Sequence, residues 1–233
     1  MAIAVSDIAV IIPAVNEQEH IGGAVKSAIS SGATEVLVVD GGSQDETVLR
    51  AVEAGARVVE SSAGRSIQQN RGALETDKPV LCFLHADNQL SDDALQQAAA
   101  WFNQDPANSW ACFCQQIPEI GICWRLIEWG NRVRARWGAR VYGDQCMVIS
   151  RLLFEQVHGF PEVRMMEDAL ISRSLRRRGM RPAILDGPLR ISPRRWKQNG
   201  VARQTLRNWW LLLQLKLGRH PDKLAQAYVR HDR

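Results

Sequence analysis

No Cys-x-x-Cys pair occurs among the five cysteines, Cys82, Cys112, Cys114, Cys123 and Cys146, so the sequence carries no zinc-type ligand spacing. Their odd number and scatter through apolar runs read as reduced core thiols of a cytoplasmic protein. Cys112 and Cys114 would share one face of a strand, but no further spaced ligands accompany them. No apolar run reaches the ~18 residues that a membrane span needs. The apolar N-terminal segment has no basic residues ahead of it, which excludes a signal peptide on this reading. Neither Gly-x-Gly-x-x-Gly nor Gly-x-x-x-x-Gly-Lys-Ser/Thr is found, which counts against dinucleotide oxidoreductases and P-loop enzymes. Internal repeats, linkers and low-complexity segments are also absent.

What is present is a chain of 233 residues with a formal net charge of +4, long enough for one large domain with a substantial core. The positive charge is uneven, with much of it in Arg132 to Arg140 and Arg173 to Arg203. A polyanion, an anionic lipid surface or a phosphorylated substrate would suit such a face, as would plain solvation.

Along the chain, apolar runs alternate with helical spacing. Strands are predicted at Ile8 to Ile12, closed by Pro13, and at Glu35 to Val39, Arg57 to Glu60 and Val80 to Leu84. Helices are predicted at Glu19 to Ser30, Asp45 to Ala54, after Gly64, and at Asp92 to Phe102 with Ser91 as cap. This alternation implies an α/β fold with a doubly wound, mainly parallel sheet. Beyond residue 105 a strand Trp110 to Ile117 precedes a long helix whose stripe Ile122, Leu126, Trp129, Val133 and Trp137 reads as core. A strand Cys146 to Ile149, a short helix Arg151 to Val157 and a helix opening at Glu167-Asp168 follow. Then come two strand-like pieces, Arg181 to Leu185 and Leu189 to Ser192, and an apolar helix Val201 to Leu217.

The stretch Val38 to Asp45 stands out. Asp40 ends a buried strand, where ligands collect in open α/β sheets. Gly41 and Gly42 allow a sharp turn, and Ser43 with Glu46 fits a capping box whose helix N-terminus would face the same crevice. A plain strand-turn-helix would look the same. Arg65 and Arg71 are candidates for diphosphate contact. Acids at a helix start, such as Glu167 and Asp168, also satisfy the macrodipole without any function.

Four segments in order, Ile11-Ile12-Pro13-Ala14-Val15-Asn16-Glu17, Val39-Asp40-Gly41-Gly42-Ser43-Gln44-Asp45-Glu46-Thr47, His85-Ala86-Asp87 and Glu167-Asp168, resemble glycosyltransferase family 2 with its GT-A fold. Leu84 to Asp87, Tyr142-Gly143-Asp144-Gln145 and Arg194-Arg195-Trp196 look like its small radical-SAM and selenodomain-associated members, some linked to arsenosugar biosynthesis. The resemblance implies a Rossmann-like three-layer sandwich as one domain over 1–233. Residues 1–104 would form its nucleotide-sugar-binding half, 105–200 its acceptor and catalytic half, and 201–233 a helical extension. Asp40 would take the nucleobase, with Pro13, Asn16 and Glu17 lining that pocket and Arg65 and Arg71 near the diphosphate. Asp87 matches the last acid of the Asp-x-Asp signature and would hold Mg2+ or Mn2+; His85 departs from the signature by replacing the first acid.

Asp168 matches the general base of an inverting transferase that moves a sugar from a nucleoside-diphosphate sugar, a UDP-sugar favoured, to an acceptor hydroxyl or phosphate. Asp144, Gln145, Glu167, Arg195 and Trp196 would meet the donor sugar or acceptor, although Trp196 equally fits a packed hinge. The acceptor is a small molecule or a lipid, and no nucleic-acid partner is implied. The other readings are a nucleotidyltransferase on a related fold, which would need a Gly-rich basic loop after the first strand, and a non-catalytic nucleotide-sugar-binding or scaffold protein, motivated by His85. Residues 201–217 suit packing, a homodimer, or an interfacial helix at the inner membrane surface.

Overall fold

The computed structural model describes residues 2–105, 107 and 109–227. Its centre is a seven-stranded sheet: β1 (Ile8–Ala14), β2 (Glu35–Asp40), β3 (Arg57–Glu60), β4 (Val80–Phe83), β5 (Trp110–Gln116), β6 (Met147–Ser150) and β7 (Ala183–Arg190). The spatial order is β3-β2-β1-β4-β6-β5-β7. Every neighbouring pair is parallel except those made by β6, which runs antiparallel to both β4 and β5. The α/β, mainly parallel expectation therefore holds, and the carboxyl ends of β1, β2 and β4 share one edge, where loops can converge.

Strands β1, β2 and β4 are nearly continuous apolar runs because both of their faces are covered. On one face Ile8, Val10, Ile12, Val36 and Val38 pack against helices α1 (Ile21–Ser30) and, through Leu95, Ala98 and Phe102, α4 (Ala94–Gln104). On the other, Ile11, Leu37, Leu81 and Phe83 pack against α3 (Arg65–Leu74), α6 (Arg151–Gln156) and α7 (Glu167–Arg177). A short helix α2 (Thr47–Glu53) joins β2 to β3.

Several expectations change. Pro13 does not close the first strand: it lies inside β1, paired with Val39, while the ladder to β4 stops at Ile11 and Phe83. The ring thus sits beyond the last paired residue on the β4 side, a position a proline tolerates. The two strand-like pieces near 181–192 are one edge strand, β7. A register shift against β5 between Phe113 and Gln115 takes up the irregularity at Gly187-Pro188. The Ser43–Glu46 capping box does not form, because the Ser43 hydroxyl donates to Asp40 instead, and α2 has no side-chain cap bond. Ser91 likewise donates to Asp93 rather than capping α4, which begins at Ala94.

The largest correction concerns α5 (Ile122–Gly138). Its stripe is not core: Ile122, Leu126, Trp129 and Trp137 are all more than half exposed. Trp124 and Ile127 face the sheet instead, together with fully buried Ala135. Past β7 the chain forms α8 (Arg194–Asn199), α9 (Val201–Lys216) and α10 (Pro221–Ala227). Helix α9 buries only Gln204 and Leu211, the latter in a small cluster with Met165 and Leu224. No helix among the described residues is long and apolar enough to cross a membrane. All five cysteines are free, and Cys82, Cys112 and Cys146 are buried.

Helix α3 lies so close to the sheet that a Cβ at Gly72 would overlap the Ile11 side chain and come 3.0 Å from Val39 Cγ2. At Gly22, in α1, a Cβ would meet nothing within 4 Å. Gly72→Ala is expected to cost about 1–3 kcal/mol of overpacking. Gly22→Ala should be neutral or gain up to ~1 kcal/mol of helix propensity. Urea denaturation of the two variants checks the contrast.

Candidate active site

At the carboxyl edge of the sheet the β1–α1 and β2–α2 loops are laced together by side chains bonding to the other loop's backbone. Asn16 Oδ1 accepts from the Gln44 amide at 2.8 Å, and the Asn16 amide donates to Ser43 Oγ at 3.0 Å. The Glu17 amide donates to Thr47 Oγ1 at 2.7 Å. Gln18 Oε1 accepts from the Glu46 amide, and the Gln18 amide donates to Asp45. Asp40, at the end of β2 and 5 % exposed, accepts from the Gly42 and Ser43 amides and the Ser43 hydroxyl. From below, the buried side-chain Nε2 of Gln68 donates to the Ala14 and Val39 carbonyls at 2.8 and 2.7 Å. These loops form a preset wall. Asn16 is held at φ 53°, a left-handed conformation that asparagine tolerates better than most residues.

Beside this wall is a cavity of about 250 Å³. Of the sequence-predicted residues it brings together Arg65, Asp87, Asp144, Asp168, Arg195 and Trp196, and it adds His85. Pro13, Asn16, Asp40 and Arg71 do not line it; Arg71 pairs along its own helix with Glu75 at 2.5 Å. Glu17 does not line the cavity either; burial pushes its carboxyl up, opposed by Arg194, which pairs with it at 3.4 Å, and reinforced by the charge of Asp87. Gln145 is buried and committed to Arg134, which donates to its Oε1 at 2.9 Å. Glu167 is 1 % exposed and receives Arg65 at 3.4 Å.

Asp168 sits in the first turn of α7 with its carboxylate on the cavity. Oδ2 accepts from the Gly143 amide and Oδ1 from the Ala169 amide. Its pKa is nevertheless pushed up to about 6, chiefly by desolvation and then by Glu167 alongside; the two amides and Arg65 pull the other way. This combination favours a group that exchanges protons near neutrality. Gly143 is the hinge pin: a Cβ there would overlap the His85 imidazole and lie 3.1 Å from Asp168 Oδ2. Met166, just before α7, is held at φ 64°, and Cys146, just after the Gly143 turn, at φ 51°. Such conformations persist only where the surroundings enforce them.

The far wall comes from residues that sequence reasoning did not single out. Asn131 and Arg134 of α5, Tyr142, and Gln204, Thr205 and Asn208 of α9 all line the cavity. Arg134 lies over the Tyr142 ring at 4.0 Å, donates to Asn131, and is thereby fixed. Burial pushes the Tyr142 phenol up against the pull of this guanidinium. A signal for the α9 residues did exist: Gln204 and Asn208, four apart, put two amide side chains on one face of a helix rich in leucine and tryptophan. Buried polar atoms without a protein partner surround the space, namely Asn88 Nδ2, Asp144 Oδ1, Trp196 Nε1 and Thr205 Oγ1. Polar groups gathered in this way at one cavity suit a polar ligand.

Residues 9–161 match the family described as "Glycosyl transferase family 2". The chain belongs to that family. A glucosyl-3-phosphoglycerate synthase of Mycolicibacterium smegmatis is 44 % identical over 59 residues, covering 24 % of this chain and 20 % of that protein. Two solved structures share the fold. One is the Mycobacterium tuberculosis glucosyl-3-phosphoglycerate synthase in complex with Mn2+, UDP and glucosyl-3-phosphoglycerate, with a TM-score of 0.56, 20 % identity and coverage of 78 % and 70 % of the two chains. The other is the mannosyltransferase PcManGT of Pyrobaculum calidifontis with GDP-Man and Mn2+, with a TM-score of 0.61, 19 % identity and coverage of 77 % and 55 %. The match to the curated relative thus spans about a fifth of its length.

Gly143→Ala is expected to drive His85 and Asp168 apart and lower stability by about 1–3 kcal/mol. Thermal unfolding together with a crystal structure of the variant checks both the loss and the displacement.

Proposed function

We propose that this chain is an inverting glycosyltransferase taking its sugar from a nucleoside-diphosphate sugar, a UDP-sugar favoured, and giving it to an acceptor hydroxyl or phosphate. The observation that carries this reading is Asp168: a carboxylate on the cavity, oriented by two backbone amides, with its pKa at about 6. In the reaction the acceptor O–H gives its proton to Asp168 while its oxygen bonds to the anomeric carbon. The bond from that carbon to the diphosphate oxygen breaks on the opposite face, and the electron pair leaves with the diphosphate. A base so placed contributes typically 10²–10⁴-fold. Arg65 and Arg195 balance the charge of the leaving group, and Asp144 and Trp196 border the sugar.

The laced wall of residues 16–18 and 40–47 takes the nucleoside, with Asp40 and Glu17 at its edge. This assigns nucleotide binding to residues 1–104, acceptor binding and catalysis to 105–200, and a helical extension to 201–233. Support comes from family membership and from the UDP- and GDP-Man-bound complexes of structural neighbours. A radical-SAM and selenodomain-associated subfamily is the finer assignment that Tyr142 to Gln145 and Arg194 to Trp196 suggest.

Among the described residues no group of three His, Cys, Asp or Glu side chains is placed to hold a metal. Asp87 with His85, and Asp144 with its partnerless Oδ1, fit a cation of the Mg2+ or Mn2+ kind that binds through one or two carboxylates plus substrate phosphates. When bound, such an ion supplies Lewis-acid neutralisation of the diphosphate. An ion arriving with the donor, rather than a resident one, matches this sparse donor set.

Asp168→Asn should reduce transfer by at least 10²-fold while leaving the thermal shift produced by UDP with Mn2+ intact. In the native protein kcat/KM should fall about tenfold per pH unit below about 6 and level off above it, because only the unprotonated carboxylate accepts the proton. Normal turnover by the Asn variant, or a rate flat down to pH 4, would contradict the assignment of the base.

A further inference from the structure

The cavity continues into a second, larger space between α5 and α9, a groove of about 1100 Å³. The two spaces share Asn131, Arg134, Tyr142, Thr205 and Trp209 as common wall. The groove is walled by the outward stripes of both helices: Leu126 is 58 % exposed, Trp129 65 %, Trp209 66 % and Leu213 51 %. Its lining runs from Val201 to Lys216 of α9, roughly 23 Å at 1.5 Å per residue. The charge is one-sided. Arg134, Arg140, Arg173, Arg176 and Lys216 line it, and among the described residues no aspartate or glutamate does. Arg140 and Arg173 have no carboxylate partner among the described residues.

We propose that this groove holds the apolar tail of the acceptor, a single-chain anionic amphiphile whose head lies against the arginines and reaches the Asp168 cavity. This rests on the glycosyl-transfer reading and names the acceptor class for it. A tail shields the exposed leucines and tryptophans, and the head answers the unbalanced cations. A second copy of the chain fits worse, because a two-fold interface here would set the same cationic surface against itself. A flat bilayer meets the convex helix faces and leaves the concave space between them unfilled.

Gly130 provides the test, since it lines the groove and nothing lies within 4 Å of a Cβ built there. The Cβ position of Gly130 is thus open, and Gly130→Phe sets a ring there to obstruct the groove. Calorimetric titration of the full chain with decyl phosphate below its micelle concentration should show saturable one-to-one binding. Inorganic phosphate should bind at least 100-fold more weakly. Gly130→Phe should weaken decyl phosphate at least tenfold, and Arg173→Gln at least fivefold, with the UDP–Mn2+ thermal shift unchanged in both. Absence of decyl phosphate binding, equal binding by Gly130→Phe, inorganic phosphate binding as tightly, or binding of anionic vesicles alone would each overturn the proposal. Dimerisation that Gly130→Phe abolishes would overturn it in favour of a second copy. A native protein that takes decyl phosphate but shows no UDP–Mn2+ shift would sink the glycosyl-transfer reading instead.

Discussion

The hydrogen bond from the Gly143 amide to Asp168 holds the site together. It joins three separate pieces of chain: the turn between α5 and β6, the first turn of α7, and, through the contact with His85, the end of β4. Each piece is held from behind. Arg134, bonded to Gln145, and Gln115, bonded to the Asp144 carbonyl, fix the first, Arg65 and buried Glu167 the second, and the sheet the third. The unusual backbone at Met166 and Cys146 is tolerated because these anchors over-determine it. The result is a carboxylate that keeps two amide donors yet remains easy to protonate, because desolvation and Glu167 outweigh them.

The opposite wall is built on another principle. Asn16, Gln18, Asp40, Ser43 and Asp45 spend their polar atoms on neighbouring groups of the two loops, so this wall is set before any ligand arrives. Preorganisation of this kind removes an ordering cost from binding. The cavity between the walls is where the unsatisfied groups collect. The family 2 match spans residues 9–161, while the sequence likeness to the curated relatives is confined to a short segment.

Much of the sheet was legible because parallel strands covered on both faces leave plain apolar runs, as at Ile8 to Ile12 and Val80 to Phe83. The acids at their ends, Asp40 and Asp87, were legible by position. Pro13 misled because a proline breaks a ladder only where its missing amide is needed, and pairing with β4 has ended there. The α5 stripe misled more deeply. Periodicity reports that a helix has an apolar face and not what covers it; the sheet took the face of Trp124 and Ile127, leaving Leu126 and Trp129 outside. Arg134 was not legible as a site residue because α5 carries several arginines and only packing decides which one faces the cavity, and Tyr142, though part of the Tyr142-Gly143-Asp144-Gln145 motif, carried no role of its own.

The role of Asp168 is tested most directly by a carboxyl 13C NMR titration of its side chain in the unliganded protein. The expected midpoint is about 6, well above the ordinary 3.8. A midpoint at or below that ordinary value would contradict the account, because the amides and Arg65 would then outweigh desolvation and Glu167.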